Sequence, residues 1–83
     1  MTVQITTQDL AALLDAGAGL KIPAASLTPD TQLATLGIDS LALLGLTAEI
    51  ERRHQVKLSM DAGGSTSVGE FLRSVNDQLL AAA

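Results

Sequence analysis

Apolar residues near the start of the chain recur at the spacing of one helical face. The positions at i, i+3, i+4 and i+7 are Leu10, Leu13, Leu14 and Gly17. This spacing predicts a helix from Thr7 to about Gly17. Thr6 or Thr7 can cap the first turn, and the glycines Gly17 and Gly19 are typical of a helix end.

The end of the chain carries a second amphipathic pattern. Its apolar stripe consists of Val68, Phe71, Leu72, Val75 and Leu79. The stripe begins at a Ser67-Val68-Gly69-Glu70 string, in which Ser67 can cap the first turn while Glu70 reaches back to it. These features predict a last helix whose stripe faces the core.

A middle helix is predicted from about Ser40 to His54. Asp39 precedes it, and a carboxylate at that position accepts hydrogen bonds from the unpaired N–H groups of the first turn. The core-facing positions are Leu43, Leu46, Thr47 and Ile50. At about 100° per residue, Leu41 lies about 160° away from Leu43. The residues on the side of Leu41 are Gly45, Ala48 and Arg52. The helix therefore carries a second apolar patch away from its core-facing stripe.

The connections between the helices differ in length and composition. Turn-forming residues alternate with aliphatic ones over residues 20–39, which predicts a long loop held against the core, with one short helical turn between Asp30 and Leu36. After the middle helix, we expect a short extended exit from Val56 to Leu58 and a Gly- and Ser-rich loop with a minor turn near Asp61 to Ser65. This order predicts an all-α bundle of three to four helices that forms one domain over residues 1–83.

Composition and charge exclude several classes of function. The 83 residues include nine acidic and five basic ones, for a net charge of −4, with one aromatic residue and no cysteine. Such a chain is not expected to bind nucleic acid, because a basic patch and aromatic stacking platforms are missing. The absence of cysteine argues against a disulfide scaffold or zinc finger, and no apolar run reaches the roughly 18–20 residues of a membrane span. The N-terminus does not resemble a secretory signal. We therefore expect a cytoplasmic protein with no metal site, and we expect the single His54 to be solvated.

One string in the chain can carry chemistry, namely Leu36-Gly37-Ile38-Asp39-Ser40-Leu41. It places the hydroxyl of Ser40 at the start of the middle helix, where unpaired N–H groups and the positive end of the helix dipole favour an attached phosphate. No neighbouring base is evident that would make Ser40 a self-activated nucleophile. The residues indicate an exposed serine that another enzyme can modify, although an Asp-Ser pair is also an ordinary helix start.

This string resembles the phosphopantetheine attachment motif of acyl carrier proteins, and the order of helices and loops resembles that family over nearly the whole chain. In the family, a transferase moves 4′-phosphopantetheine from coenzyme A onto the serine, here Ser40, and the thiol of the arm carries acyl groups as thioesters. Asp39 matches the acidic residue that helps the transferase to position magnesium. The resemblance implies a phosphoprotein that is not an enzyme but a substrate for partner enzymes.

The string from Asp39 to Leu43 is most similar to the discrete carriers of bacterial type II polyketide synthases, which serve antibiotic biosynthesis. Fatty-acid carriers commonly have acidic residues at the positions of Ala42 and Gly45, and peptidyl carriers usually have glycine at that of Ile38. This similarity implies a freestanding, monomeric carrier of malonyl and growing polyketide chains. The implied partners are a phosphopantetheinyl transferase, a ketosynthase, an acyltransferase and a ketoreductase or cyclase. A carrier of fatty-acyl or amino-acyl groups and an unmodified helical interaction module remain alternatives.

Two further sets of residues are expected to act in a carrier. The predicted partner contacts are Leu41, Gly45, Glu49 and Arg52. Acidic residues such as Glu49 and Glu51 would steer the carrier to basic partner surfaces, although Arg52 and Arg53 weaken that acidity. The interior, which is poor in aromatic residues, could open to shelter the carried chain. The predicted lining of that space is Leu43, Leu46, Ile50, Phe71, Leu72 and Val75.

Overall fold

The computed structural model describes residues 4–59 and 66–82, whose regular structure is helical apart from one isolated bridge. Helix α1 spans Thr7–Ala18, α2 spans Ser40–His54 and α3 spans Val68–Ala82, and two short 3₁₀ turns, Ala24–Ser26 and Leu33–Leu36, lie in the first connection. The prediction of a small all-α bundle is confirmed. None of the helices described is both long and apolar enough to cross a membrane. The minor turn expected near Asp61 to Ser65 lies outside the described residues.

Helix α1 begins at a complete capping box. The Thr6 hydroxyl accepts a hydrogen bond from the Asp9 N–H at 3.2 Å, and the Asp9 carboxylate accepts one from the Thr6 N–H at 3.0 Å. The helix ends at Gly19, whose φ of 68° is the left-handed conformation that glycine adopts without strain. Gly17 therefore lies inside the last turn and does not terminate the helix.

Helix α3 begins at the predicted Ser67 cap. The Ser67 hydroxyl accepts a hydrogen bond from the Glu70 N–H at 3.2 Å and lies 3.1 Å from the Glu70 carboxylate, to which it donates. Val68, Phe71 and Val75 of the predicted stripe are fully buried. The capping interaction thus fixes where α3 begins, and its apolar stripe fixes which face it turns to the core.

The core draws on all three helices and on the long first connection. Its buried members are Ile5, Leu10, Leu13, Leu14, Leu27, Leu33, Ile38, Leu46, Ile50, Val68, Phe71, Val75 and Leu79. Leu27, Leu33 and Ile38 belong to the segment between α1 and α2, so aliphatic residues do hold this long loop against the core. The predicted short turn in this segment is Leu33–Leu36, and a further turn, Ala24–Ser26, was not anticipated from the sequence.

The loop between α1 and α2 is also hydrogen-bonded to the start of α3. The Val68 N–H donates to the Thr31 carbonyl at 2.9 Å, and the Gly69 N–H donates to the Pro29 carbonyl at 3.0 Å. A Cβ at Gly69 would lie 3.1 Å from the Pro29 oxygen, so a larger residue would push the loop outwards. The approach to α2 is therefore anchored on two sides.

Two carboxamides of α3 hold irregular segments of the chain. Asn76 accepts from the Ile5 N–H at 2.7 Å and donates to the Ile5 carbonyl at 3.1 Å. Gln78 does the same with Ser59, at 2.7 and 3.1 Å. Residues 56–58, where an extended exit is predicted, have no regular secondary structure. The segment after α2 therefore takes its position from side-chain hydrogen bonds.

Candidate functional site

The hydroxyl of Ser40 stands at the exposed N-terminus of α2. Asp39 is the N-cap as predicted, and its Oδ1 accepts a hydrogen bond from the Ala42 N–H at 2.8 Å. Ser40 is the first helical residue and is exposed. The first N–H groups of a helix have no partner within it, so negative charge attached to this serine lies at the positive end of a 15-residue helix.

The three residues before the cap explain why Asp39 and Ser40 are presented outwards. Gly37 ends the preceding turn with a φ of 83°, in the left-handed region that other residues enter with strain. Ile38 then enters the core, and its N–H donates to the Leu33 carbonyl at 3.1 Å. A reversal at Gly37 and an anchor at Ile38 leave the next two side chains at the surface.

A cleft of about 290 Å³ runs from Ser40 along α2. Its lining residues are Ser40, Leu43, Leu44, Thr47, Ala48, Glu51 and Leu58. Besides Ser40, two polar side chains lie among the aliphatic ones. The Thr47 hydroxyl donates to the Leu43 carbonyl at 2.8 Å, and the Glu51 carboxylate accepts from the Leu58 N–H at 2.7 Å. The exposed hydroxyl, the helix terminus and the adjacent open cleft fit a phosphate-linked arm at Ser40.

The cleft differs from the predicted lining of the carried chain. Of the six predicted residues, only Leu43 lines it. Leu46, Ile50, Phe71 and Val75 are fully buried in the core and Leu72 is half-buried. The lining predicted for the carried chain stays a prediction. The sequence does contain a signal for the cleft, because Leu44, Thr47 and Glu51 follow Ser40 at i+4, i+7 and i+11.

Two large apolar side chains are exposed next to Ser40. Leu41 is 78 % exposed and Leu44 is 66 % exposed. The predicted position of Leu41 away from the core is thus confirmed, and Leu44 adds to the same apolar patch because residues three apart are neighbours on a helix. Contiguous exposed apolar surface is typical of a site that contacts another molecule.

Gly45 lies where α2 crosses α1. A Cβ at Gly45 would meet the carbonyl oxygen of Gly17, and a Cβ at Gly17 would lie 2.7 Å from the carbonyl oxygen of Gly45. Neither position has room for a larger side chain, because real Cβ atoms do not approach a carbonyl so closely. The partner contact predicted at Gly45 stays a prediction, but internal packing already requires glycine there.

Glu49 is enclosed by two arginines of its own helix. Its carboxylate lies 2.5 Å from Arg52 Nη2 and 2.8 Å from Arg53 Nε. The hydrogen bond from Arg52, followed by that from Arg53, lowers the pKa of Glu49 from 4.5 to about 2. The Glu49 side chain is only 14 % exposed, whereas those of Arg52 and Arg53 are 69 % and 44 % exposed. The acid predicted to steer partners is therefore covered and its charge is neutralised locally.

The single histidine lies far from Ser40, near the end of α2. His54 is half-buried and lines a cleft of about 170 Å³ together with Asp9 and Arg53. His54 thus keeps part of its surface in water, in a cleft that the N-terminal segment and α1 also line. Within residues 4–59 and 66–82, no three His, Cys, Asp or Glu side chains are grouped closely enough to hold a metal ion.

Comparison with known proteins identifies a family and several relatives of the chain. The family model described as "Phosphopantetheine attachment site" matches residues 17–75. A "Probable acyl carrier protein" of Streptomyces coelicolor is 36 % identical over 78 residues, which cover 92 % of this chain and 87 % of that protein. One of Streptomyces halstedii is 35 % identical over 78 residues, with 92 % and 85 % covered. "Nodulation protein F" of Rhizobium leguminosarum bv. trifolii is 33 % identical over 84 residues, with 90 % and 91 % covered. No solved structure matches the chain significantly.

Proposed function

The chain belongs to the acyl carrier proteins, which bear covalent 4′-phosphopantetheine and are not catalysts, and on that premise we propose that Ser40 is the attachment residue. One observation carries the proposal. Ser40 presents an exposed hydroxyl at the N-terminus of α2, inside the stretch that the family model matches. The helix terminus stabilises the charge of a phosphodiester at this hydroxyl, since its free N–H groups and dipole attract an anion.

Asp39 supports attachment in two ways. One carboxylate oxygen accepts the Ala42 N–H at 2.8 Å and so fixes the start of α2 and the position of Ser40. Asp39 is exposed, so the carboxylate can also help to position the magnesium ion of the transferase. Once attached, the arm supplies a terminal thiol that holds acyl groups as thioesters, while Ser40 and Asp39 determine where the arm leaves the surface.

We propose malonyl and growing polyketide chains as the cargo. The support is the string from Asp39 to Leu43 and the absence of acidic residues at Ala42 and Gly45. The structure gives a reason for part of this departure from fatty-acid carriers, because an acidic side chain at Gly45 would collide with the carbonyl of Gly17. The names of the relatives identify carriers and a nodulation protein without naming their cargo.

The proposal includes the partners and the surroundings of the carrier. We propose that one domain over residues 1–83 acts as a cytoplasmic monomer, on which a phosphopantetheinyl transferase, a ketosynthase, an acyltransferase and a ketoreductase or cyclase act. The exposed Leu41 supports contact with such enzymes. Together with the exposed Leu44 it forms contiguous apolar surface, which is typical of a site that contacts another molecule.

For contact between the carried chain and the protein, we propose the open cleft beside Ser40 as the first site. The cleft is already formed, whereas the predicted space between α2 and α3 requires Leu46 and Phe71, both fully buried, to part. Amide chemical shifts of the loaded carrier test this. Changes near Leu43 and Thr47 are expected first, and changes confined to the Phe71 and Val75 region would favour the interior.

Attachment is tested by incubating the chain with coenzyme A, magnesium and a broad-specificity phosphopantetheinyl transferase, followed by intact-mass analysis. The wild-type chain and Ser26→Ala, a matched variant at another exposed serine, are expected to gain one phosphopantetheine. Ser40→Ala is expected to gain none. An unmodified wild-type chain, or an undiminished gain in Ser40→Ala, overturns the proposal.

The cargo is tested on the loaded carrier with three donors, each with its transfer enzyme: a malonyl donor, a long-chain acyl donor and an aminoacyl adenylate. Mass analysis of the product is expected to show malonyl transfer as the fastest reaction. Faster loading with a fatty acyl or aminoacyl group would contradict the polyketide assignment while leaving attachment at Ser40 intact.

A further inference from the structure

In the C-terminal half of α2, the most exposed charged side chain is opposite in sign to the net charge of the chain. The chain carries a net charge of −4, and the charged residues of α2 are Glu49, Glu51, Arg52 and Arg53. Glu49 is 14 % exposed and accepts from both arginines, and Glu51 is half-buried and accepts the Leu58 N–H. Arg52 is 69 % exposed. A molecule that approaches the C-terminal half of α2 therefore meets Arg52 more openly than either glutamate, while the exposed Asp39 lies at the other end of the helix.

The exposed arginine lies on the same face as the apolar patch beside Ser40. The residues Leu41, Leu44, Ala48 and Arg52, here termed the docking face, stand at i, i+3, i+7 and i+11 and span about 80° of the helix circumference. All four are exposed. Arg52 lies about 16 Å from Leu41 along the helix axis, because each residue adds about 1.5 Å. The docking face is apolar near the attachment serine and cationic three turns farther on.

The basic residues near Arg52, namely Arg53 and Lys57, do not belong to the docking face. Arg53 lines the cleft that Asp9 and His54 also line, on the side of α1. Lys57 is exposed and lies three residues beyond the end of α2. Of these basic residues, Arg52 is thus the one that shares a face with Leu41.

We propose that the docking face binds a partner enzyme with an apolar depression beside its arm entrance and carboxylates about 16 Å farther along the bound helix. The inference rests on the proposed function, since the partner acts on the group carried at Ser40. Charge complementarity selects this occupant. A partner with a basic rim would meet Arg52 directly, and like charges placed together at an interface oppose binding. The steering by Glu49 and Glu51 expected from the sequence is replaced by attraction between Arg52 and an acidic rim.

The test measures the loaded carrier as a substrate of two ketosynthases chosen as probes, one with Asp and Glu around its arm entrance and one with Lys and Arg. Arg52→Glu is compared with Arg73→Glu on α3, whose side chain is also exposed. Both variants change the net charge from −4 to −6, since each replaces one positive charge by one negative charge. The pair therefore separates the effect of the docking face from that of overall charge.

With the acid-rimmed enzyme, Arg52→Glu is expected to lower kcat/KM roughly tenfold at low salt, through KM and not kcat, and the loss should fade in high salt. With the base-rimmed enzyme the same variant should raise kcat/KM. Arg73→Glu should stay within about twofold of the wild type with both. Arg52→Gln, which adds no acid beside Glu49, should shift kcat/KM in the same direction by a smaller factor, and thermal melts should show both variants folded.

Three outcomes overturn the inference. In the first, the wild-type carrier is the better substrate of the base-rimmed enzyme. In the second, Arg52→Glu and Arg73→Glu behave alike. In the third, the carrier dimerises and Arg52→Glu abolishes the dimer, which assigns the face to a second copy. A wild-type chain that gains no phosphopantetheine overturns the proposed function and this inference with it, whereas a loaded chain that is insensitive to Arg52 overturns the inference alone.

Discussion

At its crossing with α1, helix α2 leaves Gly45 no room for a Cβ, whereas the outer face of the same helix leaves Leu41, one turn earlier, 78 % exposed. Leu46 and Ile50, on the inner face, are fully buried, and Ser40, on the outer side, is exposed. Residues within one or two turns of each other on this helix therefore lie in very different surroundings. Substitutions within this single helix are therefore expected to alter stability and carrier function separately.

The largest separation is expected at Ser40. Ser40→Ala should abolish loading with phosphopantetheine, because no other hydroxyl stands at the start of α2. Its unfolding free energy should change by less than about 0.5 kcal/mol, as for other exposed positions without structural contacts. Intact-mass analysis and urea denaturation of the same sample measure both quantities. A variant that both fails to load and loses stability would show that the outer face also supports the fold.

Two leucines of α2, one buried and one exposed, test the same separation by stability alone. Leu46→Ala removes a fully buried side chain and should cost about 2–5 kcal/mol of unfolding free energy, because it leaves a cavity. Leu44→Ala, two residues away and 66 % exposed, should cost less than about 1 kcal/mol. Urea denaturation measures both. Equal losses would mean that the outer face is packed in solution, for example against a second copy.

At Gly45, the sign of the change in unfolding free energy tests the close crossing of α1 and α2. Replacing a helical glycine by alanine normally stabilises by about 1 kcal/mol. Gly45→Ala should instead destabilise by about 1–3 kcal/mol, because the new Cβ meets the Gly17 carbonyl and the helices must separate.

The control for this prediction lies on the outer face. Ala48→Gly reports the helix propensity alone and should destabilise by about 1 kcal/mol. Chemical denaturation of both variants gives the two signs. If Gly45→Ala raises the unfolding free energy by as much as Ala48→Gly lowers it, the close crossing of α1 and α2 is contradicted.

Local chemistry explains which parts of the fold could be predicted. The bounds Ser40 to His54 and the cap at Asp39 follow from residues within a few positions of each other, and the structure has them as predicted. The position of Leu41 away from the core follows from helical periodicity in the same way. Such features need no knowledge of the rest of the chain.

The remaining features depend on which elements meet. Nothing near Gly45 in the sequence shows that it faces Gly17, since that contact is made only when α1 crosses α2. The cleft beside Ser40 is lined by Leu58, whose N–H donates to Glu51 and whose neighbour Ser59 donates to Gln78 on α3. Counting charges likewise cannot reveal that Glu49 is covered while Arg52 is not. The predicted fold was therefore more accurate than the predicted surface.

Glu49, at the border between the two faces, gives the smallest expected effect. Its Cβ lies so near Gly17 of α1 that a Cβ added at Gly17 would be 3.0 Å away. Its carboxylate accepts hydrogen bonds from Arg52 and Arg53, which lower its pKa from 4.5 to about 2. A carboxyl with a depressed pKa stabilises the folded chain above its unfolded pKa, and this contribution is lost as pH falls through the folded pKa. The stability difference between wild type and Glu49→Gln should therefore be constant above about pH 5 and shrink between about 4.5 and 2.

Denaturation with urea at a series of pH values, at low and high salt, measures this difference. High salt should reduce it, because both arginines are partly exposed and the ion pairs are screened. A difference that does not vary between pH 5 and 2 would mean that the arginines do not hold the carboxylate in solution. The Glu49 carboxylate would then be free to face the solvent, and the outer face of α2 would include an acidic side chain.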